Sequence, residues 1–392
     1  MRSSDYLSRD LITTREGSGW DYSQTRHPYF EIERPKGAHY CLYNRRQMAV
    51  YFDDHSTEEG YWRLRRQAAV LHTGELPIQF EGPDAEKLLN KLFTKDFSKL
   101  KEMRCGYGIA CYEDGGLIVD GIVLRLNKNK FWYVQADGDF YSWARAHASN
   151  LNINISDPNV FVSQVQGPNA LKILSEASDY GLPNSFSYFA VARVLFGGQE
   201  VVISRTGYTN ELGWEFYTEP HHDPQALWDH LTKSGKQHGM EMFGLDAMNI
   251  RRIEAGILNA GSDFNHTTNP FEVGLGRFVD MEKEDFIGKS ALANASQELR
   301  HFGVKCLSGE PLISGEVAKN GKQIGVVTAG TVSPYLKFGI GYILLDQPFL
   351  SIGENIEIMC RDGNMHSAVC MELPFYDKLA EIPRGKRIDI PK

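Results

Sequence analysis

At 392 residues, with 42% hydrophobic and 23% charged side chains, the chain has the make-up of an ordinary globular protein and the length for two or three packed units. A net charge of −8 argues against nucleic acid as a partner, and no window reaches the roughly 18 uninterrupted apolar residues of a membrane helix. Six scattered cysteines with no C-x-x-C pair read as free thiols, and the first forty residues resemble neither a signal nor a transit peptide, so the expected setting is the cytoplasm.

Residues 1–38 are polar, with aromatics at Trp20, Tyr22, Tyr29 and Phe30 but no sustained period, and read as an extension lying over the body. From His39 the run H-Y-C-L-Y-N reads as a strand. Glu58–Ala69 reads as a helix, with Tyr61, Leu64 and Ala68 on one face. A weak internal repeat follows. Ile78–Asn90 and the segment from Val162 both show a strand, a Gly-Pro-Asx-Ala turn and an amphipathic helix, with Gly82 and Gly167 at equivalent places. The copies are too far apart for a solenoid and suit two related α+β modules, although two unrelated joints would look the same.

Between the copies, Leu117–Leu126 and Lys130–Gln135 read as strands joined by an Asn-Lys-Asn turn. Beyond them, Glu200–Ser204 and Gly213–Tyr217 read as strands, and Leu245–Leu258 as a helix with a stripe at Ile250, Ile253 and Ile257. After about Arg300 short strands punctuated by glycine (Phe302–Cys306, Gln323–Ala329, Gly339–Leu345, Ile356–Met359 and Ala368–Met371) suggest a small barrel or sandwich. The boundaries predicted are 1–38 for the extension, 39–298 for the α+β region and 299–392 for the β domain.

Common site signatures are missing. Gly288-Lys289-Ser290 lacks the first glycine of a phosphate loop, that position being Lys283. No G-x-G-x-x-G, zinc-spaced Cys/His set or G-x-S-x-G elbow occurs. Three unusual segments remain. In Y-G-I-A-C-Y-E-D-G-G-L-I-V-D-G-I-V-L, from Tyr107, a carboxylate at Asp120 sits within an apolar strand, where burial needs a partner; an edge residue facing water is the alternative. In Ser204–Glu215 a glycine-bracketed loop carries Tyr208. Glu215 follows on a strand whose alternation sets it opposite Trp214 and Phe216. A carboxylate there can accept parallel N–H bonds from a guanidine-like heterocycle edge such as a pterin, or it can pair with Arg205. The third segment is Arg251–Gly256 leading into Asn269–Gly276.

Together G-G-x-I/L-x-D, S-R-T-G-Y-T-x-E-x-G-F/W-E, R-I/L-E-A-G, T-x-N-P-F-E-x-G-L, D-F-I-G-K and a closing P-F-Y occur in the order seen in the glycine-cleavage T-protein-like, folate-dependent methyltransferase family, which the chain resembles over about residues 40–376. The resemblance implies an α+β fold of two interleaved ferredoxin-like modules plus a C-terminal small β-barrel around a central folate channel, with tetrahydrofolate as cofactor. It also implies that Asp120 is catalytic, near the reactive folate nitrogens. Tyr107 and Tyr208 would be aromatics against the cofactor, Glu215 the pterin-reading carboxylate, and Gln135 a cofactor contact where the family has asparagine.

Three departures stand out. Met248 and Asn249 replace an arginine and an aspartate of the glycine-cleavage enzyme, and Leu71 replaces another aspartate. The acidic net charge is also unlike the basic face that an acidic lipoyl carrier would favour. Tyr43-Asn44, the run Glu58–Arg66 and Ala136-Asp137 resemble instead dimethylsulfoniopropionate demethylase, another branch of the family. The expectation is therefore a tetrahydrofolate-dependent demethylase of a small methylated donor (a sulfonium, betaine, methylamine or methyl ether). Trp132, Tyr133, Tyr141 and Trp143 offer aromatic faces to an onium group. No metal, nucleic acid, membrane or lipoyl carrier protein is expected, and monomer and homodimer both stay open. The alternatives are a glycine-cleavage aminomethyltransferase and a non-catalytic regulatory or repair protein that binds folate.

Overall fold

A computed structural model describes residues 25–387; Trp20 and Tyr22 of the expected extension lie outside them. Two sheets stand face to face with helices outside them. The six-stranded sheet has the order Val191–Phe196, Gln199–Ser204, Gly213–Thr218, Phe161–Gln166, Ala68–His72, Met240–Met242. The five-stranded sheet has the order Arg104–Cys111, Leu117–Asn127, Lys130–Gln135, Leu76–Glu81, Asn154–Ser156. The chain starts in the first sheet at Ala68, builds the whole of the second, and returns to the first at Phe161. That is the interleaving expected, and the α+β class holds.

Alternation along the strands divides the apolar residues between layers. Ile78, Phe80, Phe131 and Tyr133 pack under the helices Ala85–Leu92 and Phe140–Ala146. Val165, Ile203, Trp214 and Phe216 pack under Ala170–Ala177 and Pro224–Gly235. Between the sheets lie Leu124, Trp132, Val134, Val162, Val202 and Tyr217. Both repeat glycines end their strand at positive φ, +144° at Gly82 and +126° at Gly167. A Cβ at either would lie 2.5 or 2.6 Å from a carbonyl oxygen, of Asn152 and Gln67 respectively. The two turns thus share one backbone solution that only glycine tolerates.

Two helix ends differ from expectation for local reasons. The helix opening at the Ser56–Glu59 capping box runs Thr57–Arg66, and Gln67 breaks it at φ −136°, ψ −111°. Ala68 then enters a strand, because pairing of Ala68–His72 with Phe161–Gln166 buries all five residues and outweighs alanine's helix preference. The second helix stops at Glu254 rather than Leu258. Gly256 takes φ +69°, and the Tyr342 hydroxyl donates to the carbonyls of Arg252 and Ile253. From His301 six strands close a barrel, in the order His301–Cys306, Gly339–Leu345, Lys322–Val332, Glu316–Lys319, Asn355–Met359, Met365–Met371. Four-residue Glu316–Lys319, with charged ends, carries too little pattern to show in the sequence.

Candidate active site

Strand register assembles a row of side chains on the face of the six-stranded sheet opposite Trp214 and Phe216. Leu71 pairs with Gln164, Gln164 with Glu215, and Glu215 with Ser204. Glu215 is buried, and its Oε2 accepts from Thr206 Oγ1 at 2.6 Å and from the Tyr217 hydroxyl at 3.1 Å. Arg205 does not pair with it. The guanidinium donates to the carbonyls of Phe186 and Pro383 and lies over Trp214. Burial raises the Glu215 carboxyl above the ordinary range against the pull of Thr206, Tyr217 and Ser204.

The loop that leads to Glu215 is shaped by Gln166, which donates to the Thr206 carbonyl at 3.1 Å and accepts from Thr209 Oγ1 at 2.9 Å. Its amide fills the space where Gly207 and Gly213 would carry Cβ atoms, within 2.3 and 2.5 Å. Those two glycines are therefore packing requirements of the loop. At its tip Tyr208 donates its N–H to Gln164 Oε1 at 3.2 Å and its hydroxyl to the Leu258 carbonyl at 2.5 Å. The charges acting on this hydroxyl are Arg252, Asp120, Asp263 and Glu75, so it stands where both sheets and the helix 245–254 meet.

Glu75, in the turn after Ala68–His72, is a second acid at this place. Burial, then the charge of Glu215, push its carboxyl up to about 8, against a hydrogen bond from Thr73 and the pull of Arg46. Among the described residues neither Glu75 nor Glu215 forms an ion pair. A carboxyl that holds its proton more tightly when folded contributes stability that is full below 4.5 and lost as pH rises through about 8. Glu75→Gln should abolish that loss, so its melting temperature should fall less than the wild type's as pH is raised across this window. Identical pH profiles for the two proteins would refute the raised Glu75 carboxyl.

On the facing sheet Asp120 lies in Leu117–Asn127, flanked by strands on both sides, and so is not an edge residue. The Tyr107 hydroxyl donates to Asp120 Oδ2 at 2.6 Å, and the Tyr133 hydroxyl to the Asp120 carbonyl at 2.9 Å. Burial pushes Asp120 up to about 6, opposed by the Tyr107 bond and reinforced by Asp263. The Tyr107 ring meets Phe278 edge-on at 4.6 Å. Asp263, itself buried, pairs with Arg252 and accepts the Asn259 N–H at 2.8 Å.

The structure therefore brings Tyr107, Asp120 and Tyr208 within electrostatic reach of one another, with Glu215 joined to them through Glu75, where the facing sides of the two sheets meet. Gln135 borders this place without facing it. Its Nε2 donates to Asn44 Oδ1 at 2.9 Å and to the Gly138 carbonyl at 2.8 Å, and its Oε1 accepts the Phe140 N–H at 3.2 Å, clamping the turn to the Tyr43–Asn44 end of a hairpin. The donor aromatics are not gathered into a cage. Alternation sends Trp132 to the inter-sheet core, while the Tyr133 ring lies among the residues packed on the helix side. Trp143 is on the outer helix against Tyr112 and His147, and Tyr141 donates to the Ile155 carbonyl. No motif in the sequence singles out Glu75, Gln164 or the Arg252–Asp263 pair; the alternating polar positions of V-S-Q-V-Q are the one signal for Gln164.

Two of the substituted residues, Leu71 and Met248, fall in one buried apolar cluster with Tyr61, Phe243 and Ala247, beside Tyr208 and Tyr335. Asn249 Oδ1 accepts from Arg252 Nε at 2.9 Å.

Comparison with known proteins bears on this arrangement. The chain matches the GCVT N-terminal domain over residues 29–283 and the glycine cleavage T-protein C-terminal barrel domain over 300–377. An aminomethyltransferase of Alkaliphilus oremlandii is 33% identical across 88% of this chain and 95% of its own length. One from Halothermothrix orenii is 35% identical across 89% and 99%. The crystal structure of the glycine cleavage system aminomethyltransferase T from Bartonella henselae superposes with a TM-score of 0.81 at 24% identity, covering 90% of this chain and 98% of that one, and shows the same fold. The expectation that a lipoyl carrier is no partner is overturned. It rested on net charge and a few substitutions, whereas relatives named aminomethyltransferase match almost end to end. Among the described residues no helix is long and apolar enough to cross a membrane. The chain belongs to the glycine-cleavage T-protein family, and is a folate-dependent transferase whose cofactor is tetrahydrofolate.

Proposed function

We propose that this chain is an aminomethyltransferase that passes a one-carbon unit from an aminomethyl group, carried on a lipoyl protein, to tetrahydrofolate. The observation that carries the reading is the pairing of Gln164 with Glu215 on adjacent strands. Among the described residues Gln164 Nε2 is buried with no hydrogen-bond partner, and the carboxyl beside it forms no ion pair. An unmet donor next to an acceptor fits the edge of a pterin ring, which offers N–H groups and a carbonyl side by side. These residues therefore fit the family's cofactor. When bound, tetrahydrofolate supplies the nitrogen that receives the one-carbon unit.

The chain's own groups do the rest. Glu215 and Gln164 bind and orient the ring edge, and Tyr208 and Tyr107 pack the ring system. Asp120, held by the Tyr107 hydroxyl, lies across from them as the group that accepts or returns a proton. Its elevated carboxyl can exchange that proton near neutrality. Burial of Asp120 and Glu215 limits the access of water to the reacting carbon.

A second reading, demethylation of a small methylated donor, is favoured by one observation. Leu71 and Met248 make apolar the place where the glycine-cleavage enzyme's charged residues are expected. One experiment separates the two readings: the protein is incubated with tetrahydrofolate and either an aminomethyl-loaded lipoyl carrier or a panel of sulfonium, betaine, methylamine and aryl-ether donors. Ammonia and methylenetetrahydrofolate from the carrier are expected. Methyltetrahydrofolate from a small donor, with the carrier inert, would replace the first reading by the second. Folate binding with neither product would refute both. At the site, Glu215→Ala should raise the folate Kd by about 10–100-fold, the loss of one or two charge-assisted bonds. Unchanged affinity would overturn the pterin assignment.

A further inference from the structure

The closed barrel carries a cluster that the transferase reading does not use. Alternation puts Val304 and Cys306 of the strand His301–Cys306 inside the barrel. The register of the last hairpin sets Ile358 opposite His366, so Cys360, two residues beyond Ile358, shares their inward face. At one mouth of the barrel these strands bring Cys306, Cys360 and His366 together, with one ligand atom from each within 4.8 Å of the others.

We propose that Cys306, Cys360 and His366 form a binding site for one thiophilic divalent cation of the zinc type. The two sulfurs lie 3.9 Å apart. Two thiolates on a tetrahedral ion at roughly 2.3 Å span about 3.8 Å, so the sulfur pair already has the required edge. The imidazole is engaged on both sides, Nδ1 with Ser308 Oγ at 2.9 Å and Nε2 with Asp362 Oδ2 at 2.8 Å. Release of the weaker serine contact frees Nδ1 for the ion and keeps the carboxylate on the other nitrogen, the arrangement that orients metal-bound histidines. Both thiols are fully buried, while the His366 side chain is 17% exposed and offers an entry. Gly309 keeps the approach open, since a Cβ there would lie 2.6 Å from Cys360 Sγ. Asp362 and Glu310 add negative charge beside Cys360.

Binding forms two metal–sulfur bonds and one metal–nitrogen bond, and both thiols lose their protons to solvent, two per ion. Water completes the coordination. The site lies in the barrel core and ties the last hairpin to the strand that opens the barrel.

The test uses the full chain, reduced and stripped with chelator, and titrated with Zn²⁺ or with Co²⁺ as a spectroscopic probe. One ion per chain is expected, with a sulfur-to-cobalt charge-transfer band, tetrahedral visible bands, release of two protons and a higher melting temperature. The band should vanish in Cys306→Ala/Cys360→Ala. Asp362→Asn, on the surface, should keep the fold and lower affinity by about 10–100-fold. A full-strength band in the double variant, octahedral cobalt, or no binding at micromolar metal would overturn the proposal. So would loss of binding on His221→Ala alone, which would assign the ion to the separate Glu219–His221–His222 cluster.

Discussion

Asp120→Ala should reduce turnover by at least ~10²-fold while leaving folate binding within a few-fold of wild type, the loss typical of a positioned proton-transfer group. The geometry gives the reason. Asp120 is the buried acid whose hydrogen bond comes from another candidate site residue, Tyr107, and whose neighbouring charge comes from Asp263 across the gap. Asp120→Asn divides the role further, because it keeps a shape that Tyr107 can hold but cannot exchange a proton. If Asn turned over like Asp, the group would be a positioning residue only. Full turnover in the alanine variant would remove Asp120 from the mechanism. Tyr107→Phe should move the acidic limb of the pH–rate profile upward, since the hydroxyl donated to Asp120 holds its carboxyl down.

The largest effect on stability is expected at Arg251, which is fully buried in the helix Leu245–Glu254. Its Nε donates to Glu211 at 2.6 Å, Nη2 donates to the Asn210 carbonyl at 3.2 Å, and Nη1 lies 3.7 Å from Glu254. Arg65, from Thr57–Arg66, shares Glu211. Glu254 in turn accepts the hydroxyls of Tyr61 at 2.7 Å, Ser333 at 2.5 Å and Tyr376 at 2.5 Å. One network thus joins a helix of the first module, the loop bearing Tyr208, the barrel and the closing P-F-Y segment. Removing the central cation leaves buried carboxylates under-compensated. Arg251→Ala should therefore cost about 3–5 kcal/mol, roughly 4–6 °C in Tm for a chain of this length. Arg251→Lys should recover only part, since an ammonium cannot make the forked contacts of a guanidinium. A Tm within experimental error of wild type for Arg251→Ala would show that the network contributes nothing net. Folate binding should weaken with it, because the Tyr208 loop is anchored at Asn210 and Glu211.

Much of this architecture is written locally. Gly82 and Gly167 mark the repeat because one positive-φ turn serves both modules, and Ser56–Glu59 marks a helix start through its capping box. Strand alternation around Glu215 and the apolar surroundings of Asp120 single out two acids by chemistry alone, since a carboxylate with no adjacent cation is costly inside a strand. The ordered motifs pointed to tetrahydrofolate and to the α+β fold, and both hold.

What only the tertiary structure decided depends on pairing between segments distant in the chain. Gln164 matters because it lies opposite Glu215, some fifty residues later, and register is not visible in either strand by itself. Glu75 matters because burial brings it near Glu215. Gln135, expected as a cofactor contact, clamps a turn to Asn44 across some ninety residues. Trp132, Tyr133 and Trp143, near neighbours in sequence, are separated by strand alternation and by a helix on the outer layer. Leu71 and Met248, read as independent losses of charge, share one apolar cluster. In each case the residue type is local, but its partner is set by a contact between chain segments far apart, and the partner determines whether a carboxyl, an amide or a ring binds, braces or packs.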